Sequence, residues 1–197
     1  LCVAKIFFPV LEKMRKKQKE FCMKLLIKNG HVLSFTEEYG VIPQGYVYIE
    51  GTEIVSLGPG NCPQENEADR VIDAQGKVIA PGLVNAHMHC YSTFARGMAI
   101  QGYAPSCFVE ILDNLWWRLD KALAREDLYP STITVAMEGI RAGVTTMIDH
   151  HASPHCVPRC LDEVERAFLD AGMRGILCYE VSDRDGKEIS DQGIAEN

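Results

Sequence analysis

The chain has 197 residues, 47% of them hydrophobic and 24% charged, the balance of an ordinary folded protein. No apolar run approaches the roughly 20 residues that span a bilayer, and no polybasic patch in the main body suits nucleic acid, so the expected partner is a small, weakly charged solute. Net charge is −7, yet residues 1–22 carry six Lys or Arg against two Glu, leaving −11 for the remainder.

The chain opens without Met, and residues 1–22 hold the cluster Arg15-Lys16-Lys17-Gln18-Lys19 just before Met23. Lys19-Glu20 can be encoded by a ribosome-binding sequence placed correctly for a start at Met23, so residues 1–22 are expected to be translated upstream DNA. The rival is a basic amphipathic helix for a membrane or partner, against which Pro9 interrupts the apolar half. From Met23 to Ala80 short strands are predicted at Leu25–Ile27, His31–Phe35, Tyr46–Glu50, Glu53–Leu57 and Val71–Ile72. Asn29-Gly30, Pro43-Gln44-Gly45, Gly51-Thr52 and Gly58-Pro59-Gly60 separate them as turns. Such spacing predicts a small β-sandwich over residues 23–80.

After Pro81 the pattern changes. A strand over Leu83–Asn85 is followed by helices over Cys107–Leu123 and Glu126–Ala142 and a strand over Val144–Asp149. A helix over Pro158–Ala171, a strand over Ile176–Val181 and the start of a helical pattern at Ile189 complete the chain. Strand and helix in alternation imply parallel βαβ units. In the run Pro81 to His89, alternation along an extended segment aims His87 and His89 to one side and Met88 to the other. Two neutral imidazoles on one face suit zinc or another borderline divalent metal. A lone His-x-His is weak evidence, and its context decides its weight. The eight cysteines show no disulfide spacing and no secretory signal precedes them, which fits a reducing cytoplasm.

The block VIDAQGKVIAPGLVNAHMH (Val71 to His89) resembles the entry to the catalytic barrel of the amidohydrolase superfamily, whose members carry His-x-His at the end of the first barrel strand. CYSTFARGMA (Cys90–Ala99), ILDNLWWRLDKAL (Ile111–Leu123), GVTTMIDHHASP (Gly143–Pro154) and CYEVSDRDG (Cys178–Gly186) are similar to its chlorohydrolase and deaminase branch, most closely the SsnA-type aminohydrolases. Asn85-Ala86 departs from the cyclic-imide hydrolases, which usually have an Asp there and a two-metal centre. The resemblance runs from Met23 to Asn197. It implies an α/β chain: residues 81–197 form the first strands and helices of a metal-dependent (β/α)8 TIM barrel, preceded by the small β-sandwich domain. A complete barrel takes about 250 residues, so the barrel is expected to be incomplete here and the chain to be the N-terminal part of a longer enzyme. The acid-base carboxylate and the remaining ligands are then expected beyond Asn197.

For function, the resemblance implies a cytoplasmic aminohydrolase cleaving a non-peptide carbon-nitrogen bond of a purine-like or related heterocycle, with water as co-substrate. One divalent metal ion, zinc or else iron, would be held by His87 and His89, and the full-length protein is expected to form a homo-oligomer. Arg96 in the loop after the first strand is a candidate for ordering that loop or meeting substrate. Trp116 and Trp117 lie about 100° apart on a helix, so at most one faces a pocket; Trp117 is kept as a candidate for substrate stacking. His150 and His151 end the second barrel strand, where alternation lets only one point inward, and both are candidate substrate contacts. Cys90 reads as a small buried residue. Two alternatives stand beside this: a noncatalytic truncated protein that inherits the motif, and a small zinc-binding interaction module built from His150, His151, His155, Cys156 and Cys160, whose spacing lacks the usual second pair.

Overall fold

The computed structural model describes residues 22–197 and, upstream, the backbone of a two-residue strand, β1 (Lys5–Ile6). The proposed upstream extension, residues 1–22, lies almost wholly outside the described residues. Two compact units divide between Pro81 and Gly82, with β1 in the second.

The first unit is one five-stranded sheet. β2 (Lys24–Leu33), β3 (Val41–Glu50) and β4 (Glu53–Pro59) form an antiparallel meander; β5 (Arg70–Asp73) and β6 (Val78–Ile79) both pair parallel to β2. Among the described residues this unit holds a single mixed sheet, residues 23–80 having been expected as the N-terminal part of the small sandwich. Two of the expected turns are bulges instead. Asn29-Gly30 and Gln44-Gly45 do not end strands: Asn29 and Gln44 take φ of 59° and 50°, and the β2/β3 register shifts on both sides of Gly30. A bulge bends a strand without terminating it. At Gly30 a Cβ would sit 2.6 Å from Ile79 Cδ1 and 2.8 Å from the Lys77 carbonyl, so β6 can approach β2 only over glycine. Leu26, Tyr46, Tyr48 and Cys62 form one buried cluster of this unit, and Val32, Ile42 and Val47 another.

The second unit alternates strand and helix. β7 (Leu83–Met88) leads through a 3-10 turn (Cys90–Ala95) to α1 (Phe108–Ile111), which continues through a π turn (Leu112–Trp116) into α2 (Trp117–Ala122). Then follow α3 (Arg125–Arg141), β8 (Val144–His151), α4 (Cys160–Ala171), β9 (Arg174–Tyr179) and α5 (Lys187–Glu196). β7, β8 and β9 are parallel neighbours, and β1 pairs antiparallel on the outer edge of β9. The predicted helices and strands recur with shifted ends. α4 starts at Cys160, not Pro158, because Arg159 is left-handed (φ 68°). β8 runs two residues past Asp149, and β9 starts and ends two residues early.

The core forms where the helices cover one face of this sheet. On β8 Met147, Asp149 and His151 are buried, while Ile148 and His150 on the alternate face are half-buried. Met147 packs with Leu128 and Ala136 of α3, Leu161, Val164 and Phe168 of α4, and Leu177 of β9. The last two residues stitch this unit together. The buried Glu196 carboxylate accepts the Arg159 and Leu161 N–H groups (2.6 and 2.9 Å) at the start of α4, satisfying donors that a helix start leaves open. The Asn197 amide accepts the Tyr179 N–H and donates to the Tyr179 carbonyl.

Candidate active site

The end of β7 does not follow regular alternation. Asn85 is level with Met147 of β8 but Met88 is level with Asp149, so β7 gains a residue over Ala86–His87. A bulge re-aims side chains at a strand end. The result is convergence: His87 Nε2 and His89 Nε2 lie 3.0 Å apart, with the rings edge to face. His89 Nδ1 is 2.9 Å from the carbonyl oxygen of His150, which can only accept, so Nδ1 carries the proton and Nε2 presents its lone pair. His87 is exposed and His89 half-buried, so the pair opens outward.

β8 sorts the next two histidines to opposite faces. His150 lies with the pair, its ring 5.4 Å from that of His89. Burial holds its imidazole below the ordinary value, against the pull of nearby Glu180. His151 is fully buried on the helix-covered face between Tyr91 and Tyr179, with Nε2 2.8 Å from Ser153 Oγ. Burial drives its pKa down to about 3, so it is neutral at physiological pH. Asp149, also fully buried, accepts the Cys90 N–H at 2.6 Å through Oδ1, while Oδ2 has no hydrogen-bond partner. Burial pushes this carboxyl up to about 6. Asp149 closes the predicted strand Val144–Asp149, a position where an exposed acid is equally at home, so sequence alone carried no signal for its burial.

Trp117 and Arg96 have partners that sequence did not reveal. The Arg184 guanidinium lies 5.3 Å over the Trp117 ring, donates to Asp120 Oδ2 (2.6 Å) and Glu180 Oε1 (3.0 Å), and so ties the loop after β9 to α2. Burial raises the Asp120 carboxyl despite that guanidinium. Arg96, exposed, makes a two-pronged pair with Glu138 of α3 (2.9 and 2.8 Å). Tyr91 lies beside His89, with ring centroids 5.9 Å apart, and burial raises its phenol.

The Cys/His zinc module is not formed. Among the described residues no group of three or more His, Cys, Asp or Glu is placed to hold an ion. His150 and His151 point to opposite faces, Cys156 Sγ donates to the Leu123 carbonyl, Cys160 Sγ to Glu196, and His155 is exposed. The His87/His89 pair does suit a divalent ion as two of its ligands. Nitrogens about 2.0–2.1 Å from a tetrahedral zinc stand roughly 3.3 Å apart, close to the observed 3.0 Å, and the His89 tautomer is the ligating one.

The amidohydrolase family profile matches residues 78–196. The chain belongs to the amidohydrolase family. This amidohydrolase is 36% identical over 156 residues to a 5-methylthioadenosine/S-adenosylhomocysteine deaminase of Syntrophomonas wolfei, a match covering 79% of the chain and 33% of that relative. It is 31% identical over 173 residues to a 5'-deoxyadenosine deaminase of Methanosarcina mazei, covering 87% and 37%. The chain thus spans about a third of the length of these curated relatives. Among solved structures, the zinc-complexed atrazine chlorohydrolase TrzN of Arthrobacter aurescens TC1 superposes with a TM-score of 0.65 at 24% identity, covering 79% of this chain and 35% of that one. Guanine deaminase from C. acetobutylicum with bound guanine gives 0.62 at 16% identity, covering 78% and 35%. Both show the shared α/β fold. No helix among the described residues is long and apolar enough to cross a membrane.

Proposed function

We propose that this amidohydrolase is a metal-dependent, cytoplasmic deaminase of a purine-like nucleoside or related heterocycle, and that the present chain contributes the opening strands of a (β/α)8 barrel. The observation that carries this reading is the convergence of His87 Nε2 and His89 Nε2 with the His89 tautomer set by the His150 carbonyl. The relatives named as deaminases of methylthioadenosine, S-adenosylhomocysteine and deoxyadenosine support the substrate class. His87 and His89 would hold the ion, zinc first among candidates, with further ligands from other parts of the whole protein. When bound, the ion would supply a water acidic enough to act as a nucleophile near neutral pH.

The other residues shape and polarise the site. His150, kept neutral by burial, offers a polar edge beside the pair without placing a second positive charge there. Trp117, backed by Arg184, offers an aromatic edge for a heterocycle; Arg96, held by Glu138, orders the loop after β7. The test is elemental analysis and ammonia release from 5-methylthioadenosine, 5'-deoxyadenosine and guanine, using the intact protein. His87→Ala with His89→Ala is expected to lose stoichiometric metal and turnover together, while Cys156→Ser with Cys160→Ser keeps its metal. Full occupancy in the double histidine variant would reject the assignment.

A further inference from the structure

The β7 bulge raises a mechanical question. Backbone pairing to β8 lapses over Ala86–His87, where the His87 N–H turns to Asn85 Oδ1 instead (3.3 Å), and β7 ends at Met88. Both histidines therefore flank Met88, the last residue the ladder holds, level with Asp149. Beyond it two bonds hold the chain, both from the end of β8: Asp149 Oδ1 takes the Cys90 N–H, and the His150 carbonyl takes His89 Nδ1–H. The second sets the ring only if the first has placed the backbone. Asp149 is a poor choice for stability, since it is wholly buried, no cation pairs with it, and Oδ2 lacks a hydrogen-bond partner.

We propose that Asp149 is a positioning residue for the His87/His89 pair, fixing the chain immediately after His89 through the Cys90 N–H so that both Nε2 atoms meet at one point. This rests on the metal-binding reading above. Asp149 does not reach an ion; it acts through the backbone of its neighbour strand, as supports behind ligands do.

The experiment measures zinc affinity of the intact protein by competition with a chromophoric chelator, together with the visible spectrum of the cobalt(II) form. Asp149→Ala is expected to weaken zinc binding about 10–100-fold and to alter the cobalt bands. Asp149→Asn, whose amide oxygen still accepts the Cys90 N–H, stays within about threefold of wild type, below the loss expected when such a support is removed. Leu161→Ala, fully buried in the same unit, lowers stability without moving affinity or spectrum. Should Asp149→Ala fail to fold, Cys90→Pro removes the same N–H from the other side at the first position of a turn that tolerates proline, and the same loss is expected. Wild-type affinity in Asp149→Ala or Cys90→Pro overturns the proposal. So does an equal loss in Leu161→Ala, which would make stability the cause, or in Asp149→Asn, which would make charge the cause. A wild type without stoichiometric zinc overturns the metal reading itself and this proposal with it, and is recognised because no variant then differs from wild type.

Discussion

At the scale of single residues, burial decides which histidine can be charged. His151 and Asp149 lie side by side, His151 Nδ1 3.9 Å from Asp149 Oδ2, yet burial moves their proton affinities toward the neutral form of each. For His151 the native value is about 3 against 6.5 for a free imidazole, so between those values the unfolded chain binds a proton that the native state refuses. Stability then rises with pH across that window and is lost on acidification, by up to about 1.4 kcal/mol per pH unit. Asp149 acts in the opposite sense: its native value, about 6 against 3.8, makes stability fall as pH rises between them. His151→Gln leaves Asp149 in place and isolates the imidazole. Urea melts between pH 3 and 7 are expected to show a shallower loss on acidification in the variant; parallel curves would refute the assignment.

At the scale of elements, helix-to-strand contacts in the second unit are close enough that glycine is required by space, not by φ. Gly175 of β9 has no positive φ, but a Cβ there would meet Phe168 Cδ2 of α4 at 2.4 Å. Alanine is the better residue for an ordered backbone, so local propensity alone expects Gly175→Ala to be neutral or stabilising. Packing expects the reverse, a loss of about 1–3 kcal/mol, because the ring must shift within a filled core. Denaturant unfolding measures the difference, and a gain in stability would show that α4 can retreat from β9 freely. The position of α4 was legible from sequence because its apolar period is a local feature. The true start of α4 was not, since its N–H groups are answered by Glu196, far along the chain.

At the scale of the whole molecule, the parallel sheet has unequal edges. β1 pairs along the outer edge of β9, but β7 is bonded on one side only among the described residues, and its Leu83 and Val84 are 60% and 61% exposed. In the proposed barrel this edge meets a further strand. In the 197-residue chain by itself the same edge is a template for pairing with another chain. Sedimentation of the purified chain is expected to show association, and Val84→Lys is expected to shift it toward monomer. A monomeric wild-type chain at the same concentration would contradict the open-edge account.

The sequence by itself determined that a His-x-His motif stands at the end of a strand opening an alternating α/β unit, because strand period, turn residues and motif order are properties of neighbours along the chain. The change of pattern at Pro81 likewise coincides with the division between the units. Only the tertiary structure decided that the two histidines converge through a bulge, that His150 and His151 part company across β8, and that Asp149 holds the strand after His89. It also showed that Asn29-Gly30 and Gln44-Gly45 bend strands where turns were expected, and that Arg184 covers Trp117. A turn and a bulge use the same residues, and a buried acid reads like an exposed one until its partner 59 residues away is in place. Each of these outcomes depends on which distant backbone or side chain supplies the missing hydrogen bond, and no local pattern carries that information.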